Sequence, residues 1–103
     1  MDKRLTPKEI IELEGYGVLK DFNKSTDKYI NIASDVASGY EAGNGKKDDL
    51  KCVEAIKNAF KSRSDFLKLV RKKNQWAGDP VIERAAELLA RYIVYNKDYG
   101  SHV

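Results

Sequence analysis

One cysteine, one histidine, two prolines and no long apolar run are the first facts of this 103-residue chain. A single cysteine cannot close an internal disulfide, and Cys52 falls on the apolar arc of a helical pattern. It reads as a buried thiol in a reducing compartment, which places the protein in the cytoplasm. The one histidine, His102, is the penultimate residue and stands far along the chain from Cys52. Nothing here assembles the nucleophile, base and orienting group that a Cys–His or Ser–His site requires. Zinc-type Cys/His spacing is missing, and the acidic residues lack the pattern of a calcium loop. Gly15-x-Gly17 and Gly43-x-Gly45 are too short for phosphate loops and lack the strand–turn–helix setting such loops need. The sequence therefore predicts a protein that is not an enzyme and needs no cofactor and no metal.

The scarcity of apolar runs excludes a second class. The most apolar segment, Leu88 to Tyr95, is interrupted by Arg91 and is far shorter than the roughly 20 residues that cross a bilayer. Met1-Asp2-Lys3-Arg4 leads into mixed polar sequence without the apolar core of a signal peptide. No membrane association is expected. Few prolines and no low-complexity tract argue against extensive disorder. A hydrophobic content of 42% with 34% charged residues describes one soluble domain over 1–103 with a heavily charged surface.

What the chain has in abundance is helical periodicity. Thr6-Pro7-Lys8-Glu9 carries the marks of a helix start, with Thr6 as N-cap, proline in the first turn and Glu9 closing a capping box. A short helix over 7–14 follows, and Gly15-Tyr16-Gly17 breaks it. Apolar residues from Val18 to Tyr40 share one arc and predict a continuous helix over 18–41, ended by Gly43-Asn44-Gly45. Thr26 is the one polar residue in that stripe, and Ser25-Thr26-Asp27 offers a restart after a kink as the alternative to one continuous helix. Cys52, Val53, Ile56, Phe60, Phe66, Leu67 and Val70 predict one long helix over 48–74, with Asp48 and Asp49 at its positive end. Asp79-Pro80 opens the last helix, 80–98, with Asp79 as N-cap; its wide apolar face should make it the most buried. The fold class is all-α: an antiparallel three-helix bundle with an additional short N-terminal helix. A helical hairpin that completes its core as a homodimer is the alternative.

Charge is distributed unevenly along these helices. Between Lys57 and Lys73 stand seven Lys or Arg against one acid, Asp65, for a net +6, whereas the whole chain is only +3 and the remainder is therefore −3. Lys57, Lys61, Lys68 and Lys72 stack on neighbouring turns of an ideal helix. Arg71, Lys72 and Lys73 suit the negative end of the helix dipole, which explains the last turn but not the mid-helix row. Trp76 follows directly; burial as a cap on the bundle is its expected fate, and a partner anchor is the alternative. Lys20, Lys24, Asp27 and Asp35 leave the polar face of the second helix nearly balanced, so it reads as solvated surface. Glu9, Glu12 and Glu14 read as helix-start acids in solvent. Tyr29, Tyr40, Tyr92 and Tyr95 belong to the core or its edge, with Tyr16 and Tyr99 at the surface.

These features predict a small protein-binding regulator or inhibitor, of the adaptor or immunity type, that docks a basic helix face on an acidic partner surface. The candidate contact residues are Lys57, Lys61, Lys68, Arg71, Lys72, Lys73 and Trp76. On this reading, reversing Lys57, Lys61, Lys68 and Lys72 to Glu leaves the fold intact and abolishes capture of the partner. The second reading is nucleic-acid binding without sequence preference, in which lysines neutralise phosphates and Trp76 stacks on a base. Lysine outnumbers the arginine favoured for base recognition, and no DNA-binding motif is present, so of these two the protein partner ranks first. A lysine-rich face that is simply solvated, with no partner, is the plain alternative to both.

Overall fold

The first helix begins as its sequence dictates. Thr6 is extended, its hydroxyl accepts the Glu9 backbone N–H, and the Glu9 carboxylate accepts the Thr6 N–H, completing the capping box ahead of Pro7. In the computed structural model, which describes residues 4–38, 49–76 and 78–96, this helix, α1 (Pro7–Gly15), is followed by α2 (Val18–Lys24), α3 (Thr26–Ser38), α4 (Asp49–Lys61), α5 (Ser64–Lys73) and α6 (Asp79–Arg91). A π-helical segment, Tyr92–Asn96, continues α6. The architecture is all-helical, with no strand among the described residues. The Gly43-Asn44-Gly45 loop, Tyr40, Asp48, Tyr99, Gly100, His102 and the predicted helix ends near 41 and 98 lie outside the described residues.

Both of the long helices read from the sequence are broken. Over 18–41 the break falls at Ser25 (φ −129°, ψ 44°), where the Thr26 hydroxyl donates to the Phe22 carbonyl at 3.0 Å. That carbonyl would otherwise serve the helix ladder, and a Thr side chain competing for it is a known cause of helix bending. The bend has a packing consequence. It sets Tyr29 beside Phe22 (ring centroids 5.7 Å) and Phe60 (5.6 Å), and lets the Tyr29 hydroxyl donate to Asp21.

Over 48–74 the break falls at Ser62-Arg63. The Ser62 hydroxyl donates to the Ala59 carbonyl, and Arg63 is extended. On a straight helix Phe60 and Phe66 would lie about 120° apart, at roughly 100° per residue. The break instead stacks their rings at 5.5 Å and 15°. Asp65, in the first turn of α5, pairs with Arg63 and with Lys28 of α3 and accepts the Phe66 N–H. These hydrogen bonds and cations hold the Asp65 carboxyl well below the usual carboxylate range.

Every helix contributes to one hydrophobic core. Helix α6 supplies the most to it, through Ile82, Ala85, Ala86, Leu88, Leu89 and Ala90, as its wide apolar face predicts. It packs chiefly against α4 and also touches α1, α2 and α5. Gly78, not Asp79, is its N-cap; Asp79 and Pro80 occupy the first turn, where the carboxylate favours the dipole and proline forfeits no hydrogen bond. The residue before the α1 cap is tied to the π-helical segment: the Leu5 N–H donates to the Asn96 side-chain oxygen at 2.8 Å, and Leu5 is buried. Cys52 is buried and not in a disulfide. Among the described residues no helix is long and apolar enough to cross a membrane.

Candidate functional site

The break at Ser62-Arg63 divides the basic row into two kinds of lysine. Lys57, on α4, is 6% exposed, with its stem in the packed interior and its ammonium 3.2 Å from Glu54 and 3.3 Å from Glu83 of α6. Burial pulls the Lys57 pKa down, and the two carboxylates more than restore it, so the group is held charged. It is a structural ion, not part of an exposed face. A charge reversal that includes Lys57 would set a third carboxylate between Glu54 and Glu83, so the fold would not survive the change unharmed as the sequence alone suggests. Lys61 is intermediate: partly exposed, at 3.9 Å from the same Glu83.

Beyond the break the cations face water. Lys68, Arg71, Lys72 and Lys73 are exposed, and among the described residues no carboxylate lies within ion-pair distance of any of them. Helix α5 ends at Asn74, whose N–H bonds the Val70 carbonyl at 3.0 Å, and the chain turns toward Gly78. Trp76 sits in that turn and is 94% exposed. The expected burial as a bundle cap does not occur: the indole lies in the turn before the Gly78 N-cap of α6 and stands in solvent. Trp76 and Lys73 line a shallow hollow with Asn74, Gln75 and Val81.

The structure adds two lysines, Lys20 and Lys24, to the exposed cations. On one continuous helix, Asp27 and Asp35 would offset Lys20 and Lys24. The bend at Ser25 sends both acids into α3 and leaves the two lysines on α2, exposed and without an ion pair among the described residues. They line a cleft of about 290 Å³ with Lys72 and Lys73 of α5. The signal that could have found them was local: Lys20 and Lys24 are four apart, and Ser25-Thr26-Asp27 is a helix-start pattern.

The carboxylates take a different role from the one read for them. Glu9 and Glu12 do not merely face solvent. Glu12 bonds Arg84 at 2.8 Å and accepts the Tyr16 hydroxyl, while Glu9 pairs with Arg91 at 2.8 Å, and together they clamp α1 to α6. The Thr6 backbone hydrogen bond and then Arg91 lower the Glu9 pKa, and Arg84 lowers that of Glu12. Tyr16, expected at the surface, packs partly buried against the core for the same reason. Among the described residues no cluster of His, Cys, Asp and Glu is arranged to hold a metal ion. Comparison with protein-family models, curated proteins and solved structures gives no match, so the surface is read from its own residues.

Proposed function

We propose that the protein is a small cytoplasmic regulator or inhibitor that acts without catalysis, docking the exposed side of α5 and the following turn on an acidic surface of a protein partner. The contact residues are Lys61, Lys68, Arg71, Lys72, Lys73 and Trp76, with Lys57 as a support beneath them. In this reading the six helices work as a bundle of three antiparallel rods, α2 with α3, α4 with α5, and α6, braced by α1. Contacts of α4 with α6 and with α3 support that arrangement.

One observation carries the proposal: Trp76 is 94% exposed beside a cluster of cations with no carboxylate partners among the described residues. The helix dipole accounts for the sign of Arg71, Lys72 and Lys73 but not for an indole in water. Burying about 150 Å² of indole at roughly 25 cal/mol per Å² would stabilise the fold by about 4 kcal/mol, and this chain forgoes it. Tryptophan and arginine are the residues most enriched among those that dominate binding energy at protein interfaces. The surrounding lysines would speed encounter with an acidic surface and exclude basic ones.

The experiment is affinity capture from host lysate, with and without nuclease, by the native protein and by a Lys68→Glu/Arg71→Glu/Lys72→Glu variant. The proposal expects a protein captured equally under both conditions by the native chain and lost by the variant, whose circular dichroism stays native. Capture that disappears with nuclease would support the nucleic-acid reading instead. Equal capture by native and variant proteins would remove the basic face from the account.

A further inference from the structure

The cleft between α2 and α5 is built around one glycine. Gly17 precedes α2 with φ +84°, a left-handed conformation that residues with a Cβ adopt at a cost. The Lys73 stem lies across it, so close that a Cβ at Gly17 would stand 2.8 Å from Lys73 Cγ. The backbone conformation and the close approach both call for glycine here. Gly17 thereby lets the last lysine of α5 fold over the start of α2 and form one wall of the cleft.

The lining has a definite chemistry. Gly17 and Leu69 contribute carbon, the lysine stems contribute more, and most of the wall is apolar. Lys20, Lys24, Lys72 and Lys73 supply four positive charges. Asp21 is the one acid, and its carboxylate accepts the Tyr29 hydroxyl. At about 290 Å³ the cleft lies at the small end of the roughly 300–1,000 Å³ typical of ligand pockets, which suits one or two side chains better than a cofactor.

We infer that this cleft receives a peptide segment of the partner in which an acidic side chain stands next to an apolar one. The inference rests on the docking reading above and extends it to α2. The apolar side chain would cover Leu69 and the lysine stems, and the carboxylate would be drawn to the lysines. A bare phosphate could satisfy the lysines but is a poorer match to the whole lining, because it would leave Leu69 and the apolar lysine stems uncovered.

The test is a titration of the full-length ¹⁵N-labelled protein, followed by amide and indole NMR shifts. The probes are a short peptide alternating Glu with Leu, a Glu-only peptide and inorganic tripolyphosphate. The Glu–Leu peptide should shift the Gly17, Lys20 and Leu69 amides and bind more tightly than either other probe. Lys20→Glu/Lys24→Glu should weaken that binding by about tenfold or more, and the milder Lys20→Gln/Lys24→Gln by less, as expected for loss of opposite charges at a contact. The Gln pair keeps the result readable if the Glu pair perturbs folding. Shifts confined to Arg71 and the Trp76 indole would leave the docking face standing and overturn the cleft. A preference for tripolyphosphate would overturn the acidic-peptide assignment, and no shift with any probe would overturn the cleft, with the docking face then judged by its own capture experiment.

Discussion

Lys57 and Lys72 lie on one row of an ideal helix, yet the fold treats them in opposite ways. Lys57 is buried on α4 between Glu54 and Glu83, where its charge is neutralised within the molecule. Lys72 stands on α5 in water, on the edge of a cleft whose other three lysines also lack carboxylate partners among the described residues. The difference arises at Ser62-Arg63, where the chain turns to stack Phe60 on Phe66. A cation neutralised within the molecule is committed to its own carboxylates, and removing it leaves them unpaired, while one left unneutralised is available to something outside. The same separation recurs elsewhere: Arg84 and Arg91 are committed to Glu12 and Glu9, and Lys20 and Lys24 have no ion pair among the described residues.

The sharpest way to break this comparison is to reverse the two lysines one at a time. Lys57→Glu should destabilise the protein by about 2 kcal/mol, because it removes the packed lysine stem and the cation that Glu54 and Glu83 share and sets a third carboxylate beside these two solvated ones. Lys72→Glu should change stability by no more than about 0.5 kcal/mol, as exposed substitutions usually do. Urea denaturation measures both. Equal losses would mean that the division into structural and available lysines is wrong.

A smaller effect concerns the paired region alone. The folded pKa values of Glu9 and Glu12 lie below the ordinary 4.5, so their contribution to stability is present above that value and fades as pH falls through the folded values. Both carboxylates are partly solvated, and solvent screening limits the contribution to about 1 kcal/mol or less per pair. Thermal melts of the native protein should therefore shift downward as pH drops below 4.5, and Glu12→Gln should make that dependence shallower. An unchanged slope in Glu12→Gln would show that the Arg84 pair does not clamp α1 to α6.

Much of the fold was legible from the residues. The capping box at Thr6, the buried face of α6 and the all-helical class follow from spacing and chemistry that act over one or two turns. The break at Ser62 did not follow, and at Ser25 the restart pattern Ser25-Thr26-Asp27 yields to the continuous apolar stripe in a reading from sequence alone. Apolar periodicity continues through both, and what ends each helix is a competition between a hydroxyl and the backbone that long-range ring packing resolves. The candidate site depends on the same long-range packing. Lys57 looked exposed because Glu83 is 26 residues away in sequence, and Trp76 looked buried because a lone indole usually is. Lys20 and Lys24 looked neutralised because the helix carrying Asp27 looked continuous.

The most direct measurement places a photo-crosslinker at the exposed indole, as Trp76→benzoylphenylalanine, and irradiates the protein in host lysate. A discrete protein adduct should form, survive nuclease treatment and vanish when Lys68, Arg71 and Lys72 are also reversed to Glu. An adduct to nucleic acid, or a protein adduct indifferent to that charge reversal, would contradict the assignment of this surface to an acidic protein partner.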